Sequence, residues 1–385
     1  MNKKFLALQI AVIFFFAALV FELIPRPAVE GKRLYTKSFS PSFAEIQEES
    51  PDFIKLSIGL AGLLKTDLEG NSPAIIETFK SETGKSWNAQ SGGTVVLNQY
   101  LQILREKYGE DFLLLSMGGV FQATNSVFPL QDLMQNFQAI QADFEKNSQF
   151  NWPGGLPWVA SNVYSIGNKS NIITPSVNPY LLLERRGLRI LIVSLSEADE
   201  RGLPGRTLTF NRDPVGAFTQ IRQSFGKNQP NLIIVLYRGD GLCVSKHTDK
   251  QINWGESEGT DLECNKNKGP FKFLRRLPPG TVHLLALTDP YNAFGVNSET
   301  PVLQVGDRGK YIGMIDFFFD RTSKILRKEK TRFHSFIKTC HFFHPETLDC
   351  TPTSNYIESE TAGAVTKYQK PALFYGQTIQ APGKN

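Results

Sequence analysis

NLIIVLYRGDG, residues Asn231 to Gly241, is a nearly unbroken apolar run that stops at Arg-Gly-Asp-Gly. Its apolar residues do not alternate with polar ones, so the strand it forms is of the kind buried on both faces. Just upstream, Asp213 to Phe225 has helical periodicity and opens on Asp-Pro, with the proline in the first turn where its missing N–H costs nothing. Working outward, Val282 to Leu287 is a second buried strand, and Gln304 to Asp320 reads as two strands around Asp307-Arg308-Gly309. Tyr180 to Leu183 and Leu188 to Leu195 read as a hairpin turned at Arg186-Gly187, and Pro157 to Val163 as a strand. Toward the N-terminus, Phe53 to Leu64 is a β-rich apolar run, and Asp111 to Leu115 is a short buried strand. Between them Thr94 to Tyr108 is a helix with Leu97, Leu101, Leu104 and Tyr108 on one face. A second amphipathic helix is expected over 128–146, a long polar loop over Lys65 to Gly93, and a surface-wrapping tail over Thr351 to Asn385. Buried strands alternating with helices predict a layered α/β domain.

The chain ahead of this domain carries an export signal. Lys3 and Lys4 precede the apolar stretch Phe5 to Phe21, which Leu23 and Ile24 extend. Positive charges before an apolar segment keep that end inside and send the rest across. No A-x-A cleavage site is present, and Val29-Glu30-Gly31 is its nearest substitute. Residues 1–24 are therefore read as either a signal peptide or a membrane anchor, attached through residues 5–24. Residues 25–50, with three prolines, are read as a linker. Four cysteines lie far downstream, and an even number in an exported chain suggests disulfides. Of the three possible connectivities, Cys243–Cys264 with Cys340–Cys350 closes two local loops and is the one expected. A zinc site built on Cys340, His341, His344 and Cys350 is the rival, and it lacks a C-x₂-C pair.

With 41% hydrophobic and 21% charged residues the chain is globular rather than disordered. A net charge of +5 is modest for 385 residues, although Arg321 to Arg332 (RTSKILRKEKTR) concentrates basic residues. That run has the charge to meet phosphates or anionic lipid, but no nucleic-acid-binding motif accompanies it. Neither a P-loop, nor a Rossmann fingerprint, nor a G-x-S-x-G nucleophile elbow occurs, and no cofactor is expected.

Six segments in order resemble the calcineurin-like metallophosphatase domain of the 5′-nucleotidase/UDP-sugar hydrolase family. They are Ser91-Gly92-Gly93 before a helix; LLLSMGGVFQAT, Leu113 to Thr124; LPWVASNV, Leu156 to Val163; VNPYLLLERRGLRILIVSL, Val177 to Leu195; Phe210-Asn-Arg-Asp-Pro214 leading to NLIIVLYRGDG; and PVLQVGDRGKYIGMIDFFFD, Pro301 to Asp320. The resemblance implies a four-layer α/β/β/α sandwich over residues 51–325, followed by a C-terminal extension over 326–385. It also implies phosphate-ester hydrolysis by two divalent metals that activate water and hold phosphoryl oxygens.

The chain departs from the family at each metal ligand that can be placed. The family's D-x-H on the first strand falls on Gly59 and Ala61, and its GD on Gly118-Gly119. Its SH falls on Tyr237-Arg238 and its GHxH on Thr288-Asp289-Pro290-Tyr291. Glycine offers no side-chain ligand, and a guanidinium stays charged where a cation should sit. The five histidines (His247, His283, His334, His341 and His344) all fall elsewhere. Ser57 and Ser116 are read beside the old ligand positions, and Arg238, Asp240 and Asp289 at the mouth of a remnant cleft. There Arg238 would either pair with Asp240 or Asp289, or grip a phosphate or carboxylate. The expectation is an exported, non-catalytic module that meets an envelope protein. The alternatives are a metal-free binder of a phosphorylated ligand and a divergent metal-dependent hydrolase.

Overall fold

Two open sheets lie face to face, and the order in which the chain visits them decides where any cleft can be. The computed structural model describes residues 51–62, 75–80, 86–117, 138–140, 158–159, 161–165, 177–196, 208–210, 212–239, 243–245, 252–253, 262–267, 269–288, 292–306, 309–343, 370–375 and 377–379. All belong to the compact unit Ser38–Asn385.

The first sheet is built around β1 (Phe53–Gly62), which pairs in parallel with β2 (Phe112–Met117). Helix α1 (Thr94–Tyr108) connects the two. The second sheet begins with the hairpin β3 (Leu181–Arg185) and β4 (Leu188–Ser196), turned at Arg186 and Gly187, both with positive φ. Helix α2 (Pro214–Gln223) leads to β5 (Leu232–Arg238), and α3 (Gly269–Arg275) to β6 (Leu284–Thr288). The hairpin β7 (Ala293–Asn297) and β8 (Thr300–Val305) completes it, in the order β7-β8-β6-β5-β4-β3. Strands β4, β5, β6 and β8 are mutually parallel. The next strand, β9 (Tyr311–Asp320), then crosses to the first sheet and pairs antiparallel with β1. Gly313 lies at this crossing: a Cβ there would come within 2.8 Å of Val305 and 2.9 Å of Leu303, so the sheets approach only because the side chain is absent.

Side-chain alternation sorts the apolar residues into three layers. Ile54, Leu56, Ile58 and Leu60 of β1 face Ile190 and Ile192 of β4 and Ile234 and Leu236 of β5 between the sheets. On the outer side of the first sheet, Leu97, Tyr100, Leu101 and Leu104 of α1 cover Ala61, Phe112, Leu114 and Met314. On the outer side of the second, Phe218 and Ile221 of α2 and Phe271 and Phe273 of α3 cover Val193, Val235 and Leu285. The result is the four-layer α/β/β/α sandwich expected from the sequence.

Several local expectations change. The polar stretch Lys65 to Gly93, read as a loop, contains a hairpin of Ile75–Lys80 with Ser86–Ser91. Within the expected helix 128–146, Gln138–Ile140 is a strand paired with β2, because an exposed strand edge there offered backbone partners. The remainder of that helix lies outside the described residues. The two strands read over Gln304 to Asp320 exist but belong to different sheets. Beyond residue 325 the first sheet continues, since Arg332–Phe333 and Ile337–Lys338 both pair with β9. The tail does more than wrap the surface: Ala372, Phe374 and Ile379 are buried against α1, and the Phe374 ring lies 4.7 Å from that of Tyr100. Cys243 and Cys264 form a disulfide across a short hairpin, as expected. Cys340 is disulfide-bonded too, and its expected partner Cys350 lies outside the described residues.

Candidate functional site

A two-metal site in this architecture would gather its ligands at the C-terminal ends of β1, β2, β5 and β6. In the register of the resemblance, the first ligand pair falls on Gly59 and Ala61. Both are fully buried and face α1. A Cβ placed on Gly59 would lie 2.6 Å from Cζ of Phe112 and 3.3 Å from Leu114, so the Phe112 ring occupies the space an aspartate would need. Tyr237, at another ligand position, is buried on the outer face of β5 with its ring 5.7 Å from Phe273. Three described positions, Gly59, Ala61 and Tyr237, have thus become parts of the apolar layers under α1 and α3. A pair of divalent cations does not fit them: Gly59 and Ala61 offer no side-chain donor atoms, and the Tyr237 side chain is buried in the apolar layer under α3. Gly118, Gly119 and Asp289 lie outside the described residues.

Arg238 is the last residue of β5, half-buried and opposite Ser196 of β4. It shares its face with Ile234 and Leu236 and so sits at the end of the layer between the sheets. Beside it the end of β4 is closed off by Asn162. The Asn162 amide donates to the Ser196 carbonyl at 2.7 Å and accepts from the Ser196 N–H at 3.0 Å. One strand turn earlier, the Ser161 hydroxyl accepts from the Ser194 N–H at 2.9 Å. The segment Ser161-Asn162 is therefore stitched to β4 and leaves those backbone groups satisfied. Asp240, expected beside Arg238, lies outside the described residues. Ser116 pairs through its backbone with Ala61 and Gln138 at the end of β2.

Ser57 is not at the mouth. It lies opposite Phe112, the first residue of β2, at the other end of the shared ladder. Its hydroxyl donates to Oδ1 of Asp316 on β9 at 2.6 Å. Around that carboxylate stands a buried polar cluster that the sequence reading missed. Lys55 Nζ is 3.0 Å from Asp316 Oδ2. His334 Nε2 is 2.9 Å from the same oxygen, near enough for an ion pair though not aligned as a hydrogen bond. The Lys55 ammonium also lies 5.2 Å from the centre of the Tyr108 ring, and the Tyr108 and Tyr375 hydroxyls meet at 3.2 Å. Burial alone would push the Asp316 carboxyl up. The charge and proximity of His334, then Lys55, then the Ser57 hydroxyl outweigh it and hold the group well below the usual carboxylate range. Burial pushes the Tyr108 hydroxyl up to about 12, with the bond to Tyr375 working against it and the Asp316 charge adding to it.

Serine, carboxylate and imidazole in one cluster invite comparison with a nucleophile triad. The connections are wrong for that chemistry. The hydroxyl donates to the carboxylate rather than to the imidazole, so no base is placed to take its proton. Ser57 is also fully buried, beyond reach of any substrate. The cluster is a charge pair set in the layer under α1, with the Ser57 hydroxyl and the Lys55 ammonium on the carboxylate and His334 beside it. A signal for it was present: Lys55 and Asp316 interrupt otherwise apolar strands at positions whose parity places them on the α1 face.

Among the described residues, no group of three or more His, Cys, Asp and Glu side chains converges on a point where a metal ion would bind. Nor is any described helix long and apolar enough to cross a membrane, and residues 5–24 lie outside that description.

Fold and strand ends together define a four-layer sandwich with its parallel-strand termini gathered on one side. No protein-family model matches the chain, and no curated protein matches it. Among solved structures it is similar to the NAD nucleotidase NadN of Haemophilus influenzae, at 14% identity and a TM-score of 0.46, over 74% of this chain and 50% of that one. A 5′-nucleotidase precursor from Thermus thermophilus matches at 18% identity and a TM-score of 0.46, over 82% of this chain and 58% of that one. The calcineurin-like phosphoesterase YfkN of Bacillus subtilis matches at 14% identity and a TM-score of 0.45, over 74% of this chain and 91% of that one. The chain thus spans about half of the first of these proteins and less than two thirds of the second.

Proposed function

We propose that this chain is a metallophosphatase-like domain that has given up two-metal chemistry and acts, after export, as a structural or protein-contact module of the cell envelope. The observation that carries the reading is Gly59. The first-ligand position of the resemblance has no side chain, and the Phe112 ring fills the space one would need. A ligand lost by a single recent substitution would leave a cavity, whereas here the neighbour has packed into the place. The basic n-region and apolar stretch of residues 3–24 support export, and the Cys243–Cys264 disulfide fits an oxidising compartment.

The test is metal content of the purified protein by elemental mass spectrometry, after incubation with manganese and zinc and removal of excess. Less than a tenth of an equivalent per chain is the expected result, together with no hydrolysis of nucleotides or sugar nucleotides. Two equivalents with phosphatase activity would overturn the reading and restore the hydrolase. A second reading, metal-free binding of a phosphorylated ligand, draws on Arg238 at the end of the layer between the sheets. It expects a thermal shift with a nucleotide panel that Arg238→Ala abolishes.

A further inference from the structure

At the end of the sandwich opposite the vacated cleft, two turns from different sheets come together. One is the β3–β4 turn at Arg186 and Gly187. The other follows β9 and spans Arg321 to Arg327. They are linked through Asn231: its side chain accepts from the Arg189 N–H at 2.8 Å and donates to the Lys324 carbonyl at 3.3 Å. The ammonium of Lys324 lies beside Gly187.

The second turn is held in one shape. Asp320 accepts from the Thr322 N–H at 3.1 Å, from the Ser323 N–H and hydroxyl at 2.9 Å, and from Arg327 at 2.9 Å. These bonds, the Ser323 N–H first among them, hold its carboxyl well below the usual range. Lys324 takes the left-handed conformation that closes the turn, with φ of 58°. What the clamp presents is Ile325, 62% exposed and the most exposed large apolar side chain among the described residues. Held this open, the side chain is available for contact outside the domain.

Cations stand on the same end of the domain. Arg321 donates to backbone carbonyls of Pro51 and Phe53 rather than to a carboxylate. Lys330 lies 4.5 Å over the Phe53 ring. Arg185 and Lys324 stand on the two turns. Carboxylates neutralise part of this set: Arg186 pairs with Asp111, Arg327 with Asp320 and Lys328 with Glu299. Exposed Asp52, Glu184 and Glu329 lie on the same segments, and with them counted the balance of these groups is still positive, by a single charge. Pro51, gripped by Arg321, is also where the chain arrives from the N-terminal apolar segment through the linker of residues 25–50.

We propose that this end of the domain docks on a membrane, with the cations of the two turns on anionic lipid headgroups and Ile325 inserted among the glycerol and upper acyl groups. An exposed apolar side chain on the same end of the domain as lysines and arginines gains from both parts of a lipid interface. If residues 5–24 stay attached as an anchor, the tether would enter at Pro51 and raise the local concentration of bilayer around this face. The inference rests on the envelope reading above and on residues 5–24 acting as an anchor rather than a cleaved signal peptide, and its test separates the docking face from the anchor.

Among the described residues no cysteine is free, so Ile325→Cys in the full-length protein can be labelled with an environment-sensitive fluorophore, with the wild type treated alike as the control for Cys350. The protein is reconstituted into vesicles of phosphatidylcholine, alone or with about 30% phosphatidylglycerol, a surface dense enough in charge to attract polybasic segments. Expected is a blue shift, with quenching by brominated lipid, in the anionic vesicles only. It should vanish above about 0.5 M salt and fall at least fivefold in amplitude when Arg185→Glu and Lys324→Glu are combined. Circular dichroism checks that this variant folds. A label at Val244→Cys, on the disulfide hairpin, should not shift. No shift at position 325, or equal shifts at both sites, overturns the proposal. So does a shift produced by an acidic protein or RNA in solution but not by vesicles, which would identify a different partner. Failure of the protein to float with phosphatidylcholine vesicles would refute the anchor instead, leaving the anionic-vesicle result to decide the docking face.

Discussion

Replacing Asp316 by asparagine keeps the shape of a buried side chain and removes its charge. Lys55, 3.0 Å away and only 11% exposed, then has no counter-charge in a layer otherwise formed by α1 and the apolar face of the first sheet. Breaking one side of a buried pair costs ~3–5 kcal/mol, because the remaining charge stays desolvated. For the unit Ser38–Asn385, about 350 residues at ~2.1 cal/mol/K each give an unfolding entropy of roughly 0.7 kcal/mol/K. The melting temperature should therefore drop by about 4–7 °C near pH 7. The pH dependence sharpens the test. The folded-state pKa of Asp316 is depressed, so its contribution is complete above the unfolded carboxyl value of ~3.9 and is lost as pH falls below it, at up to ~1.4 kcal/mol per pH unit. The gap between wild type and Asp316→Asn should narrow as pH falls below about 4, where the unfolded carboxyl binds a proton that the folded one does not. Differential scanning calorimetry or circular dichroism melts across that range would measure it. A variant melting within 1 °C of wild type at pH 7 would refute the argument that this charge pair matters to stability.

Gly59→Asp should lower stability by at least ~1–3 kcal/mol through overpacking against Phe112, without raising metal uptake, as melts and elemental analysis would report. His283 is held neutral: burial first, then Lys328 and Arg222, lowers it to about 4, and its Nδ1 accepts from the Ile233 N–H at 2.9 Å. Between the unfolded value of ~6.5 and about 4 the unfolded chain binds the extra proton, so stability should fall as pH falls through that window, and less steeply in His283→Asn. Removing the Cys243–Cys264 bond, which joins residues separated by 21 positions, should cost about 3 kcal/mol, seen as a lower melting temperature for the double serine variant. Phe374→Ala should cost ~3–5 kcal/mol where the tail packs on Tyr100, and should expose the C-terminal segment to limited proteolysis.

Much of the fold was legible because it was written locally. The unbroken apolar run of β5 called for cover on both faces, and it has cover from the layer between the sheets on one side and α2 and α3 on the other. The Asp213-Pro214 start of α2 and the Arg186-Gly187 turn were likewise visible as short-range chemistry. Less visible was the short strand Gln138–Ile140, which exists because β2 offers an edge to pair with rather than through its own propensity. The hairpin Ile75–Lys80 with Ser86–Ser91 was hidden for the same reason, its sequence being largely polar.

For the site the division is sharper. The sequence by itself determined that Gly59 and Ala61 bring no donor atoms to a metal, because a residue's chemistry needs no neighbours to be read. It also determined that Arg238 would stand at the end of a buried strand. What Ser57 does was beyond its reach. That hydroxyl is spoken for by Asp316, 259 residues away, and meets it only because β9 leaves the second sheet, crosses at Gly313 and pairs with β1 in one register. Shifting that register by one residue would turn Asp316 to the opposite face. Strand parity is a local property, but which charges share a face is settled by long-range pairing, and so the buried cluster and the exposed turn at Ile325 were decisions of the tertiary structure alone.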